Sequence, residues 1–338
     1  MNIDVHAHVL LPEVDQAVSG APGLEEHRSR DARRNGEASL QVSGRMIGER
    51  LHRLTRVDAR LADMDRADVD TQLVSPSPSH YHYWAEPELA ERAHRLANEG
   101  VAAHCAQAPD RLLGLGLVPL QHPDLAVELL DHALSLGLRG VEISSHAPGR
   151  ELSDPAYEAL WNRTAATGAI LFLHPFGCTL DERLDRWYLS NIVGQPVENA
   201  VALSHLVFSG VLDRYPDLRI VAAHGGGYLP THLGRADHGW RVRPEARGCA
   251  EPPSSYLRRM WFDSLVHDPA VLYHLVEAVG ADRVLLGSDH PFDMGTDAPV
   301  DALLKADLTP EAIARISCGN AAALLNLNTH TTTEESHE

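Results

Sequence analysis

Cysteine is scarce in this chain and scattered. The four residues, Cys105, Cys178, Cys249 and Cys318, form no CxxC pair, which suits reduced, structural thiols rather than a paired framework. Basic residues are also in deficit, since 29 Lys and Arg stand against 47 Asp and Glu for a formal net charge of −18. No basic cluster survives the neighbouring acids, so a surface that neutralises a run of nucleic-acid phosphates is excluded. An anionic small molecule must then be held by a few local arginines or by a metal. No apolar run reaches the ~20 residues of a membrane span, and the N-terminus enters a strand without the basic and apolar regions of a signal peptide. A cytoplasmic protein is expected. The dinucleotide fingerprint, GxGxxG behind an early strand, is missing as well.

What remains is ordinary globular composition, 44% hydrophobic and 22% charged over 338 residues, enough for one large α/β domain. Short runs of Val, Ile and Leu alternate with helical patterns, the signature of βα units and a parallel sheet. Strands are expected near Asn2 to His8, Thr71 to Ser75, Leu112 to Pro119, Arg139 to Ser144, Ala169 to His174, Leu218 to His224, Met260 to Ser264 and Arg283 to Asp289. Eight strands are the number that closes a (β/α)8 TIM barrel. Between them, VDARLADMDRAD, EPELAERAHRLANEGVAAHC and DPAVLYHLVEAVG carry apolar residues at helical spacing, and Asp154-Pro155 and Asp268-Pro269 read as helix starts. Residues 11 to 56 are polar, arginine-rich and dotted with glycine, too long for a plain βα loop. The expected organisation is a single domain over residues 1–328, with 11–56 as a small insertion and 329–338 as a disordered tail.

The chemistry gathers at the strand ends. In Val5-His6-Ala7-His8 the two imidazoles, two residues apart on a strand, project from one face. The fifth strand ends in His174, the sixth in His224 and the eighth in Asp289. Each alone has a structural use, as a hydrogen-bonded histidine or a helix-capping aspartate. Carboxyl strand ends of such a barrel converge on one mouth, however, and imidazoles with a carboxylate there suit a divalent ion such as Zn²⁺ with an open position. Glu142 on the fourth strand reads as a buried acid, paired or with a role of its own. Asp263 ends the seventh and either orients a ligand histidine or caps the turn. Gly225-Gly226-Gly227 makes a tight turn, a close approach for substrate, or both.

HxH after the first strand, His after the fifth, HGGG after the sixth and GSDxPF after the eighth resemble the amidohydrolase superfamily in its decarboxylase branch. The likeness runs through IDVHAHVLLPE, HYHYW, GLGLVPLQ, FLHPF, AHGGGYLPTHLGR, FDSLVHDP and LLGSDHPF, nearly the whole chain. It implies that His6, His8, His174 and Asp289 hold one Zn²⁺ per subunit with a water completing the shell. His224 is then the catalytic acid/base, with Asp289 beside it in the catalytic set. Arg235 would grip a substrate carboxylate, reaching in from the neighbouring subunit of a homodimer. The fourth strand, LRGVEISSHA, lacks the lysine that many superfamily members use for a second metal, so a mononuclear site is implied. Where a branch member has a carboxylate-binding arginine in the insertion, this chain has Gly48, with Arg45 and Arg50 nearby as candidates. Phe176, Tyr188 and Phe292, together with Trp187 and the HYHYW segment, are the candidate walls for a flat substrate. The activity implied is zinc-dependent, non-oxidative decarboxylation of a small unsaturated or aromatic carboxylic acid. The alternative is a metal-dependent hydrolase or hydratase of the same branch.

Overall fold

A computed structural model of the chain describes residues 1–327. Its barrel strands are β1 (Ile3–Val9), β2 (Thr71–Pro76), β3 in two pieces (Leu112–Gly114 and Gly116–Leu117), β4 (Gly140–Ile143), β5 (Ile170–Leu173), β6 (Arg219–Ala222), β7 (Trp261–Asp263) and β8 (Val284–Leu285). Each pairs in parallel with its neighbour in sequence. The break in β3 falls at Leu115; the first piece pairs with β2 and the second with β4. The ring closes from β8 to β1 through Val5 N–H to Leu286 O (2.9 Å), Asp289 N–H to His6 O (2.8 Å) and His8 N–H to His290 O (2.8 Å). The (β/α)8 barrel expected from the alternation is present, and the residues expected for a disordered tail lie outside those described.

Side chains alternate along the strands and so divide into two cores. Ile3, Val5, Leu73, Leu115, Ile170, Phe172, Val221 and Leu285 make one cluster, joined by Ala321, Ala322, Leu324 and Leu325 near the C-terminus. Val9, Val74, Val141, Ile143, Leu171, Leu173, Ile220 and Leu286 belong to the larger core shared with the helices. Full burial of each such side chain contributes about 1.5–3 kcal/mol. The first cluster fills the barrel, so polar groups reach its interior only at the carboxyl ends of the strands.

The segment 11–56 is helical. It folds as α1 (Pro12–Val18), α2 (Leu24–Asn35) and α3 (Glu37–Thr55), followed directly by α4 (Val57–Arg66). The glycines dotted through it mostly act as punctuation: Gly36 joins α2 to α3 at φ 75°, where an L side chain is disfavoured. The outer ring continues with α5 (Pro87–Cys105), α6 (Pro123–Ser135), α7 (Glu158–Thr167), α8 (Gln195–Phe208), α9 (Leu233–Val242), α10 (Pro269–Val279) and α11 (Asn320–Leu325). Asp268 caps α10 by accepting from Ala270 and Val271 N–H, and Asp154 accepts from Ala156 N–H ahead of α7. Among the described residues no helix is long and apolar enough to cross a membrane.

One irregularity in β1 shapes the site. Asp4 pairs with Gln72 and Ala7 with Val74, so Val5 and His6 together stand opposite Leu73. Such a bulge re-aims the side chains that follow it. Here Val5 joins the barrel filling while His6 and His8 still meet beyond it.

Candidate metal centre

At the carboxyl rim the five expected residues come together. His6 Nε2 lies 3.1 Å from His8 Nε2, and Asp289 Oδ1 lies 3.4 Å from the first and 3.2 Å from the second. The His174 ring centre is 5.1 Å from that of His6 and 4.9 Å from those of His8 and His224. His224 Nε2 is 3.7 Å from Asp289 Oδ2. Ligand-capable atoms of His6, His174, His224 and Asp289 all lie within 4.8 Å of one another. By distance alone, His224 is as much a member of this group as His8.

What stands behind each ring decides where its lone pair points. His6 Nδ1 is 2.6 Å from Asp263 Oδ2, an acceptor, so Nδ1 carries the proton. His8 Nδ1 faces the Pro76 carbonyl at 3.2 Å, so its Nδ1 is likewise the N–H. Both Nε2 atoms are left as lone pairs aimed at each other and at the Asp289 carboxylate. Three acceptors facing one point repel unless a cation sits among them. Tetrahedral coordination at a zinc–nitrogen distance of about 2.0–2.1 Å spaces ligand atoms by about 3.3 Å, and the three observed separations bracket that value. Both ring nitrogens of the buried His174, and Asp289 Oδ1, have no hydrogen-bond partner, and buried polar atoms without partners call for an occupant. The residues therefore fit a divalent ion.

The charge states of His174 and Asp289 agree with this, whereas at His8 burial is outweighed by Glu142 and Asp289, which raise its pKa, so that without a cation the centre draws a proton onto that ring. Burial, and then His224, His8 and His6, hold His174 well below the ordinary histidine pKa, so it is neutral. Burial alone would raise the Asp289 pKa, but His6, His224 and His8 outweigh it and keep the carboxyl well below the usual range. A neutral imidazole and an ionised carboxylate are the ligand forms a metal requires.

The backbone is bent to present these groups. His224 and Asp289 both adopt left-handed conformations, at φ 53° and 58°, a cost of order 1–3 kcal/mol each for a non-glycine residue. Asp263 offsets this at His224: its carboxylate accepts from His224 N–H and Gly225 N–H, each at 2.9 Å, while also holding His6. The two readings of Asp263 thus combine in one residue. The glycines after His224 serve the turn; a side chain at Gly225 would meet Val266, one at Gly226 would meet Phe262 and one at Gly227 the Pro196 carbonyl. None of the three lines the cavity described below. Glu142 is buried and paired, accepting from the Tyr81 hydroxyl at 2.7 Å and lying 3.5 Å from His8 Nδ1. Burial holds its carboxyl above the usual range against the pull of His8.

Above the centre opens a cavity of about 460 Å³ lined by His174 and Asp289 and walled by Tyr81, Tyr83, Trp84, Phe176, Tyr188 and Phe292, a size that suits a small molecule. Phe176, Tyr188 and Phe292 are therefore where the sequence put them, while Trp187 stands exposed outside the lining. Arg45, Arg50 and Arg235 do not line it either. Arg45 and Arg235 are exposed, and Arg50 instead donates to the Pro291 carbonyl at 2.7 Å. The physical reason for Arg45 is helical phase, since α3 turns Leu40, Ser43, Gly44 and Ile47 toward the cavity; Arg50 continues that face but is engaged by the Pro291 carbonyl beyond it.

Two features escaped sequence reasoning. Arg30 and Arg34 of α2 line the cavity, and an insertion to which no helices were assigned has no face on which to place them. Arg60, fully buried, donates to the His8 carbonyl at 2.5 Å and to Gln72 Oε1 at 2.6 Å, bracing β1 from behind. Burial pushes its guanidinium down to about 10, which still leaves it cationic at neutral pH. Its signal was available: Arg60 shares the apolar face of α4 with Val57 and Met64, where a charged residue needs a reason.

The chain matches the amidohydrolase family model over residues 3–327. It is 33% identical to 2-amino-3-carboxymuconate-6-semialdehyde decarboxylase of Dictyostelium discoideum, over 88% of this chain and 84% of the relative. Among solved structures it resembles 5-carboxyvanillate decarboxylase from Sphingomonas paucimobilis, with a TM-score of 0.82 and 26% identity over 97% of this chain and 99% of the other. A 5-carboxyvanillate decarboxylase from Novosphingobium aromaticivorans, complexed with manganese and 4-hydroxy-3-methoxy-5-nitrobenzoic acid, shares the fold at a TM-score of 0.85, with 23% identity over 97% and 96% of the two chains.

Proposed function

The chain belongs to the amidohydrolase family, and from that premise we propose that it is a metal-dependent, non-oxidative decarboxylase, a carbon–carbon lyase acting on a small unsaturated or aromatic carboxylic acid. The observation that carries the reading is the convergence of the His6, His8 and Asp289 acceptor atoms with the unpartnered His174 at an aromatic-walled cavity. The similar proteins bearing decarboxylase names support it.

In this reading His6, His8, His174 and Asp289 hold one Zn²⁺, a choice favoured by three imidazoles in the donor set. A bound divalent ion supplies Lewis acidity, drawing electron density from the substrate oxygens it contacts. His224 is the proton carrier. It is less buried than His6, His8 and His174 and has an unpartnered Nδ1, while Asp289 lies beside its Nε2. As the bond to the carboxylate carbon breaks, its electron pair stays on the conjugated carbon and His224 delivers the proton there, so that R–COO⁻ and H⁺ become R–H and CO₂. Phe176, Tyr188 and Phe292 hold the flat acid and exclude water. No organic cofactor enters this balance.

The proposal includes a homodimer in which Arg235 serves the partner's cavity, in keeping with its exposed position outside its own. It also includes a cytoplasmic location, in keeping with four free cysteines. The test is CO₂ release by the zinc-loaded and manganese-loaded protein across a panel of carboxymuconate-type and hydroxybenzoate acids. Release from at least one acid, fastest with zinc, is expected. Turnover of lactones with CO₂ from none of the acids would replace this reading with the hydrolase one.

A further inference from the structure

We propose that His146, oriented by Glu198, is a specificity-determining residue of the cavity, whose Nε2 accepts a hydrogen bond from an O–H or N–H group carried on the substrate acid. The inference rests on the decarboxylase reading only for which end of the acid meets the metal centre; the acceptor itself rests on contacts outside that centre.

His146 stands on a short hairpin behind β4, where His146 and Ala147 pair antiparallel with Arg150 and Glu151, and it lines the cavity. Ala147 is buried in the larger core, which ties the hairpin to the barrel. Behind the ring lies Glu198, in the first turn of α8, buried and with no arginine or lysine partner among the described residues. A buried carboxylate is costly unless it is hydrogen-bonded, and this one is held from both sides. Its Oε1 accepts from the Thr179 N–H at 2.8 Å and the Thr179 hydroxyl at 2.7 Å, and its Oε2 lies 3.1 Å from Ser145 Oγ and 3.2 Å from His146 Nδ1. Burial alone would raise the Glu198 pKa, but His146 and Thr179 outweigh it and bring the carboxyl down to about 2.

An ionised carboxylate accepts and cannot donate, so the ring nitrogen that faces it carries the proton. The Nδ1–H is thus shared by Glu198 and by Ser145 Oγ at 3.0 Å, and Nε2 is left as a lone pair. Among the described residues no protein group bonds Nε2, and 20% of the side chain is exposed. The other histidines of the lining are committed elsewhere. His174 belongs to the metal centre, His27 pairs with Asp31 at 3.2 Å and stacks on Trp84, and both ring nitrogens of His82 are buried. His146 therefore offers the cavity an acceptor of fixed tautomer. Tying the hairpin to α8 uses only the Nδ1 side of the ring, so a purely structural His146 would be indifferent to what the ligand carries.

The test is calorimetric titration of the zinc-loaded full chain with the 2-, 3- and 4-hydroxybenzoates, each against the methoxybenzoate of the same position, which keeps the oxygen and loses the donor. The wild type is expected to bind at least one hydroxybenzoate about tenfold or more tightly than its methoxy counterpart. In His146→Phe the preference is expected to fall within about twofold, with metal content unchanged. Glu198→Gln keeps the ring and reverses its tautomer: the two Thr179 donors hold the amide oxygen on their side, the amide N–H₂ faces Nδ1, and Nε2 becomes a donor. That variant is expected to lose or invert the hydroxyl preference. Equal affinity for hydroxy and methoxy acids at all three positions in the wild type, or a preference that survives in His146→Phe, overturns the proposal, and neither result depends on Glu198→Gln folding. Because binding is read without turnover, a preference that depends on His146 in a protein that releases CO₂ from no acid would keep this role and sink the reaction.

Discussion

Among the described residues, groups of three or more histidines and acids come together twice. At the centre stand His6, His8, His174, His224 and Asp289, and near the cavity mouth stand Asp15, His80 and His82, whose ligand-capable atoms also lie within 4.8 Å of one another. Counted by residue type the two look alike. They differ in what stands behind the rings. At the centre the far nitrogens of His6 and His8 face acceptors, Asp263 and the Pro76 carbonyl, so the near nitrogens are lone pairs free for a metal. At the mouth His80 Nε2 accepts the Leu11 N–H at 3.0 Å, so its proton sits on Nδ1, 3.5 Å from Asp15. A protonated nitrogen is no ligand. The Asp15 side chain is also about half exposed, whereas the Asp289 side chain is buried. Outer partners, more than the count of histidines, separate a metal centre from a hydrogen-bonded pair.

The sharpest attempt to break this comparison removes a ligand from each cluster. His174→Ala is expected to lower zinc affinity by more than about a hundredfold and abolish turnover, since loss of a ligand exceeds the 10–100-fold typical of an outer partner. His82→Phe is expected to leave one metal per chain; two equivalents in the wild type, falling to one in His82→Phe by elemental analysis, would erase the distinction. Next in size, His224→Ala is expected to keep its metal while turnover falls about 10²–10⁴-fold, the usual range for a general acid/base. Substantial remaining activity would take His224 out of the chemistry. Asp263→Asn places an amide where His6 Nδ1–H needs an acceptor, and should weaken metal binding about 10–100-fold in a chelator competition. Unchanged affinity would show that the acceptor behind His6 does not matter.

The smallest effect concerns stability. Burial, then His80 and His94, push His82 down to about 3, below the usual histidine value near 6.5. Between these values the unfolded chain binds more protons at this site than the folded one. Its contribution is therefore complete above about pH 6.5 and is lost as pH falls toward 3, at up to about 1.4 kcal/mol per pH unit. Urea unfolding at pH 7, 6, 5 and 4 should show a shallower decline for His82→Phe than for wild type. Parallel curves would mean that His82 is not held neutral by its surroundings. His94 and His104 are shifted the same way, mainly by burial, so only the difference between the two proteins is diagnostic.

Much of the barrel was legible in the sequence, because a buried strand is a local apolar run and an amphipathic helix a local period. The β1, β2, β4 and β5 strands fall within a residue or two of their expected ends. The helices of the insertion were not legible: glycines at 20, 23 and 36 that separate them hide the helical period in the sequence. With α2 and α3 unseen, their faces were unseen too, and attention fell on Arg45 and Arg50 rather than Arg30 and Arg34. Asp263 was named with two candidate uses, and only its contacts with both His6 and the His224 backbone showed that it serves both.

The sequence by itself determined which residues reach the barrel mouth: a polar side chain directly after a buried run ends up at the carboxyl rim wherever that strand lies in the ring. VHAH, FLHPF, AHGGG and GSDHPF therefore delivered His6, His8, His174, His224 and Asp289. It could not determine how those groups are aimed. The bulge that turns His6 and His8 depends on the register of β1 against β2, and the proton on His6 Nδ1 depends on Asp263, 257 residues away in the chain. Orientation and protonation are set by partners that only folding brings within hydrogen-bond reach, and that is why the tertiary structure alone decided which ring nitrogens are left as lone pairs at the centre.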